Sequence, residues 1–130
     1  MSITLEKKFE STIKPSVHPY LNGAWTPNSE EYTATDMEVI GIIPTDIDGV
    51  YVRNTENPIH EAKGNYHPFD GDSMLHSISF KDGKAEYRNR FVRTKGFQAE
   101  QEAGKSLWKG IANSVNADSR RGWGAQGYVK

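Results

Sequence analysis

The sequence has no cysteine in its 130 residues. That excludes disulfide scaffolds, thiolate zinc sites, iron–sulfur clusters and thiol nucleophiles together, and it favours a reducing compartment. An excess of one charge is also missing: 16 basic side chains stand against 17 acidic ones. So even a balance gives no electrostatic footprint for nucleic acid or for an anionic lipid surface. No run approaches the roughly 18 apolar residues of a membrane span. The opening residues, MSITLEKKFESTIKP, contain no apolar stretch of the secretory type. These absences point to a soluble, cytoplasmic protein.

What is present is a polar chain the length of one ordinary domain, with 12 glycines and 6 prolines. Residues 1–19 are mixed and polar, end in Pro15 and Pro19, and read as an extended N-terminal arm. YLNGAWTP (20–27) interleaves aromatics with an Asn-Gly turn signal, and MEVIGIIP (37–44) is an apolar run too short for a typical helix. PTDIDG (44–49) reads as a tight turn between two strands, of which the second is GVYVRN (49–54). Residues 54–68 have the composition of a loop.

The clearest local signal is the pair MLHSISF (74–80) and AEYRNRFVR (85–93) flanking Lys81-Asp82-Gly83-Lys84. Asp-Gly between alternating runs predicts a type I′ hairpin, because that turn needs positive φ at both central residues. With Asp82 and Gly83 as the loop, Phe80 faces Ala85, Ile78 faces Tyr87, His76 faces Asn89 and Met74 faces Phe91. The opposite face then carries Ser79 with Glu86, Ser77 with Arg88 and Leu75 with Arg90. One face is mostly apolar and the other mostly polar, as a half-buried antiparallel pair requires. Farther on, AEQEAGKSLW (99–108) is the one plausible helix, weakened by Gly104. The pattern is all-β with four or five short strands, long loops and at most one short helix. The loops outnumber the strands, so the chain reads as part of something larger.

The candidate chemistry lies in YHPFDGDSMLH (66–76), which holds His67, Asp70, Asp72 and His76. These residue types ligate zinc, iron and manganese. Asp-Gly-Asp lacks the spacing and terminal Glu of a calcium loop, and no His-Glu-x-x-His occurs. The register puts His76 on the mostly apolar face, which describes a partly buried histidine satisfied by hydrogen bonds. Asp70 and Asp72 read as turn formers that bond nearby backbone. Arg88, Arg90, Arg93 and Lys95 read as a solvated or ion-paired face. Trp25, Trp108 and Trp123 are too dispersed to form a stacking platform.

The blocks PYLNGAWTP, IIPTDIDGVYVRN, Asn57-Pro58, FDGDSMLH, YRNRFVRT and AEQEAGKSLW run in an order that resembles the N-terminal part of the carotenoid cleavage oxygenases, in particular the bacterial branch with the lignostilbene dioxygenases. The resemblance implies the first portion of a seven-bladed β-propeller, incomplete in this chain, with residues 20–130 as the truncated propeller domain. It implies a non-haem Fe(II) enzyme that uses O₂ to split a conjugated carbon–carbon double bond of a carotenoid, apocarotenoid or stilbene into two carbonyl products. The substrate would be apolar, and peripheral membrane contact occurs in the family. The family's four iron histidines lie beyond the matched region, so no residue from His18, His60, His67 and His76 aligns with a ligand. No metal and no catalytic residue is expected in this chain alone, and the isolated chain is expected to be inactive.

The stilbene branch holds its substrate's phenolic oxygen with a tyrosine and a lysine. Phe97 and Lys130 match those substrate-binding positions, the former without the hydroxyl. Ser73 stands where the family usually has glycine, and Thr55-Glu56 where it has Gly-Pro. Two further readings stay open at this point: a non-enzymatic β-module that binds a ligand or partner, and a truncated non-functional product.

Overall fold

Asp82 and Gly83 both take positive φ, 51° and 73°, and the hairpin around them pairs in the anticipated register from Met74↔Phe91 to Lys81↔Lys84. The computed structural model describes residues 1–111. Over those residues the chain is all-β with one short helix. In order the elements are β1 (Ser2–Lys8), β2 (Glu30–Thr35), β3 (Gly49–Glu56), β4 (Ser73–Lys81), β5 (Lys84–Phe91) and α1 (Lys95–Ala103), with 3-10 turns at Pro19–Leu21, Gly23–Trp25 and Pro68–Asp70. The chain divides into two compact units.

The first unit comprises Met1–Lys8, Glu30–Thr55 and Met74–Phe91. It is a five-stranded sheet in the order β1-β2-β5-β4-β3, with antiparallel pairing of β1 to β2, β2 to β5 and β5 to β4. Met74, Phe91, Ala85 and Ala34 are its buried apolar residues. The β2–β5 seam is built in two ways. Thr33↔Arg88 and Ala34↔Tyr87 pair in the ladder. Toward Glu30, side chains continue the seam. Asn89 Oδ1 accepts from the Tyr32 amide at 2.5 Å and its Nδ2 donates to the Glu30 carbonyl at 3.0 Å, while the Phe91 amide donates to Glu31 Oε1 at 2.8 Å. Arg90 closes the other face by donating to the Tyr32 carbonyl and Thr33 Oγ1, each at 2.7 Å. Buried backbone groups must find partners, and here polar side chains supply them.

The second unit comprises Phe9–Ser29, Glu56–Ser73 and the chain from Val92 onward. Its buried apolar residues are Phe9, Ile59, Phe97, Leu107 and Trp108. The Phe9 and Phe97 rings meet edge to face at 5.4 Å, a favourable quadrupole geometry, and the Arg93 guanidinium lies 5.0 Å from the Phe9 centroid. Extended segments are tied to one another: the Phe9 amide donates to the Ser29 carbonyl at 2.9 Å, and the Thr12 amide to the Ile59 carbonyl at 3.1 Å.

The structure corrects several local readings. The helix runs over Lys95–Ala103, four residues earlier than 99–108, because Thr94 caps it: Thr94 Oγ1 accepts from the Phe97 amide at 3.0 Å. Gly104 does not weaken the helix but ends it, at φ 68°, with its amide on the Glu100 carbonyl. The apolar run 37–44 forms no strand before the turn at Pro44, where the Ile47 amide bonds the Pro44 carbonyl; Ile40 and Ile42 are 96% and 93% exposed. β2, EEYTAT, does not stand out in the sequence, because its buried Glu31 hides the alternation a strand is recognised by. Within the extended stretch 1–19, Ser2–Lys8 pairs with β2 as a sheet strand. Ser73 opens β4 without positive φ, so the serine there carries no backbone strain.

Candidate functional site

The FDGD turn is built from residues that bond backbone. His67 and Asp70 cap the 3-10 turn reciprocally: His67 Nδ1 accepts from the Phe69 amide at 3.1 Å, and Asp70 Oδ2 from the His67 amide at 3.3 Å. The other Asp70 oxygen accepts from the Ile111 amide at 2.9 Å. Asp72, almost fully buried, accepts from the Ile59 amide at 3.4 Å through Oδ2, and its carbonyl accepts from the Asn57 amide at 2.7 Å. Asn57 in turn exchanges two hydrogen bonds with the Asn28 backbone.

Gly71 is required by close approach. A Cβ there would lie 2.9 Å from the Asn57 amide nitrogen and 3.0 Å from the Tyr66 hydroxyl. Burial first, then the carboxylates of Glu56, Asp70 and Asp72, push the Tyr66 phenol well above its ordinary range. Tyr66 therefore stays protonated beside the turn. Gly110 meets the same limit, since a Cβ there would run into the Asp70 carboxylate.

His76 belongs to the other unit and makes a different set of bonds. Its Nδ1 lies 2.7 Å from the Tyr87 hydroxyl and its Nε2 lies 3.0 Å from Thr55 Oγ1, which is 3.2 Å from the Met74 carbonyl. One arrangement satisfies all three contacts: Thr55 donates to Met74, Nε2–H donates to Thr55, and Tyr87 donates to Nδ1. The tautomer is assigned from that network. Burial, followed by the Arg53 guanidinium, lowers the His76 pKa below its usual value, in keeping with a neutral ring; burial raises that of Tyr87. Of the remaining histidines, His18 caps the turn at Pro19 with Nδ1 accepting from the Tyr20 amide at 3.2 Å. His60 is buried with Nδ1 3.3 Å from Thr12 Oγ1.

These histidines and carboxylates do not fit an iron site. His67, Asp70 and Asp72 are engaged with backbone in one unit, and His76 with Tyr87 and Thr55 in the other. Among the described residues no group of three or more potential ligands is placed to hold a metal ion. Phe97 is buried against Phe9, with Arg93 5.6 Å from its ring. Lys130 lies outside the described residues. Three of the basic residues are engaged: Arg88 with Glu86 at 3.7 Å and Arg90 with Glu6 at 3.4 Å, while Arg93 covers the two phenylalanines. The sequence reading missed Glu31, Asn57 and Asn89, because nothing in their local neighbourhood marks a polar residue that will bond a distant backbone.

The chain has known relatives. A family model described as retinal pigment epithelial membrane protein matches residues 25–127. The carotenoid cleavage oxygenase of Mycobacterium tuberculosis is 52% identical over 81 residues, covering 61% of this chain and 16% of that protein. The chain belongs to the carotenoid cleavage oxygenase family. Among solved members of the family, Pseudomonas brassicacearum lignostilbene dioxygenase matches with a TM-score of 0.74 at 29% identity, over 83% of this chain and 23% of that one. A cobalt-substituted Synechocystis apocarotenoid oxygenase matches with a TM-score of 0.59 at 34% identity, over 65% of this chain and 18% of that one. The chain therefore spans about a fifth of the length of the oxygenases it matches. Among its described residues no helix is long and apolar enough to cross a membrane.

Proposed function

We propose that this chain is the N-terminal portion of a seven-bladed propeller dioxygenase, cytoplasmic and dependent on non-haem Fe(II). The enzyme consumes O₂ and one conjugated C=C bond and yields two carbonyl products. The observation that carries this reading is the match to lignostilbene dioxygenase over 83% of the chain, together with 52% identity to a carotenoid cleavage oxygenase. The cobalt-substituted relative points to a metal centre in the family. The histidines described above are committed elsewhere, so iron would be held by other parts of the enzyme. The 130-residue chain alone binds no iron and has no turnover.

Its contribution is then to the scaffold and to the substrate side. Phe97 and Lys130 are the positions we assign to the substrate. Phe97 lacks the hydroxyl that would hydrogen-bond a phenol, a contact worth about 1 kcal/mol. A phenolic stilbene loses that contact and a carotenoid does not, so the phenylalanine at position 97 favours a carotenoid or another conjugated substrate.

The test is a chimera in which residues 25–111 replace the matching segment of P. brassicacearum lignostilbene dioxygenase. Iron content by elemental analysis and cleavage of a hydroxystilbene and an apocarotenal are measured. The chimera is expected to bind Fe(II) and to cleave at least one substrate. A folded chimera without iron or activity would overturn the reading. Phe97→Tyr in the active chimera should raise kcat/KM for the hydroxystilbene about fivefold, the equivalent of about 1 kcal/mol, and leave the apocarotenal unchanged.

A further inference from the structure

Of the asparagines in the sequence, Asn22 alone precedes a glycine. Such a pair is chemically labile. The amide nitrogen of the glycine can attack the asparagine side-chain carbonyl carbon, and no Cβ hinders the ring that forms.

The fold sets this pair at a joint between two 3-10 turns. Asn22 closes the turn at Pro19–Leu21 and opens the turn at Gly23–Trp25, with its own backbone extended at φ −143° and ψ 159°. Its side chain folds back on the next peptide, and Oδ1 accepts from the Gly23 amide at 2.8 Å. The carbon to be attacked is therefore one bond from an atom already in contact with the attacking nitrogen. Gly23 has φ 60°, and no atom of the described chain lies within 4 Å of the place a Cβ would take. Rotation toward the ring meets no neighbour there.

The competing positions are held differently. At Asp70-Gly71 the carboxylate oxygens accept from the His67 and Ile111 amides, and the Gly71 amide donates to the Pro68 carbonyl at 3.3 Å. Asp82 and Gly83 are fixed at positive φ between the paired Lys81 and Lys84, and the glycine of Asp48-Gly49 opens β3. An ionised carboxylate is also a poorer electrophile than a carboxamide. Asn57 precedes a proline, which has no N–H to lose, and Asn89 holds the β2–β5 seam with both its side-chain oxygen and nitrogen.

We propose that Asn22 is a modification site at which the chain deamidates spontaneously, with water as the other reactant. Hydroxide takes the proton of the Gly23 amide, its nitrogen bonds to Asn22 Cγ, and the side-chain nitrogen leaves as ammonia. Water then opens the succinimide. Breaking the bond from nitrogen to Cγ gives aspartate, and breaking the bond from nitrogen to the backbone carbon gives isoaspartate. One water is consumed, one ammonia is released and nothing is oxidised or reduced. Aspartate keeps the turn, because its carboxylate accepts from the Gly23 amide as the carboxamide did. Isoaspartate adds a carbon to the main chain at the joint. The bond from the Trp25 amide to the Asn22 carbonyl, 3.1 Å, is then lost, and the edge-to-face pair of Tyr20 and Trp25 loses its setting. The inference concerns local chemistry and does not rest on the oxygenase reading.

The test ages the 130-residue chain at neutral to mildly alkaline pH in heavy-oxygen water and maps its peptides by mass spectrometry. Asn22 is expected to gain one solvent oxygen about tenfold faster than any other asparagine converts or any Asp-Gly isomerises, at a rate proportional to hydroxide. Gly23→Ala should slow the conversion about tenfold. Asn22→Gln, which would need a six-membered ring, should stop it with the circular dichroism spectrum unchanged. Exchange of the Trp25 amide should quicken in the isoaspartate form and stay as it was in the Asn22→Asp chain. Earlier conversion of another asparagine would overturn the proposal, as would a rate indifferent to hydroxide. A folded chain about tenfold slower than the urea-denatured one would overturn it too, because the turn would then protect Asn22.

Discussion

The two units of this chain are held together by different means. In the sheet unit, the β4–β5 hairpin is set by an αL turn at Asp82-Gly83 and by side-chain alternation, both of which act over a few residues. In the second unit, segments far apart in sequence are joined by side chains that bond backbone: Asp72 to Ile59, Asn57 to Asn28, and Asp70 to Ile111. The difference teaches that FDGD works as a joint between loops. Its carboxylates resemble metal ligands because backbone amides, like cations, are satisfied by carboxylate oxygen.

The largest expected effect tests that joint. Gly71→Ala sets a methyl group 2.9 Å from the Asn57 nitrogen, a backbone atom that can yield only by breaking the Asn57–Asp72 hydrogen bond. A loss of about 2–3 kcal/mol is expected, in the range of overpacking. Residue-resolved hydrogen exchange should show faster exchange at Asn57 and Ile59 and little change along β4 and β5. Equal loss in both units would break the comparison by showing that they open as one.

Asn89→Ala puts the sheet unit to the same test at a slightly smaller size. It removes partners from the Tyr32 amide and the Glu30 carbonyl at the β2–β5 seam. Leaving buried backbone groups unpaired costs about 2 kcal/mol. Urea unfolding should show a lower midpoint, with exchange accelerated at Tyr32. An unchanged midpoint would mean that the ladder pairs alone carry the seam.

This contrast also explains what the sequence made legible. The hairpin, its register and the bonded state of His76 followed from local pattern, since alternation and an Asp-Gly turn are short-range facts. β2 was hidden because Glu31, a buried carboxylate, serves the seam with its side chain where a simple alternation would place an apolar residue. The start of α1 was obscured by Gly96 in its first turn, although Thr94 stood ready as a cap. The role of FDGD was half legible. Asp70 as a turn former could be read from its neighbours, while the bonds to Ile59 and Ile111 depend on which loops meet. Family resemblance supplied what local physics could not, namely that such a turn belongs to an oxygenase.

Gly83→Ala measures the local term by itself. With φ at 73° the alanine must adopt the αL conformation, and its Cβ would meet the Ile43 carbonyl oxygen at 3.4 Å. The expected cost is about 1 kcal/mol, read as a shift in the urea midpoint at constant slope. A cost equal to that of Asn89→Ala would show that the turn matters as much as the seam.

The smallest effect is a pH dependence carried by His76. Burial and then Arg53 lower its pKa in the folded chain below the unfolded value of 6.5. As pH falls below about 6.5, the unfolded state takes up the proton first, so stability contributed by the neutral ring is lost progressively until the folded pKa is passed. Above that window the contribution is fully present. Proton NMR should place the His76 titration midpoint below those of reference peptides. His76→Gln, which keeps a polar side chain between Tyr87 and Thr55, should flatten the stability profile between about pH 6.5 and the folded midpoint. The His67→Gln chain is the control from the other unit: if it flattened that window equally, the pH response would belong to the loop joint and the contrast between the units would fail at that point.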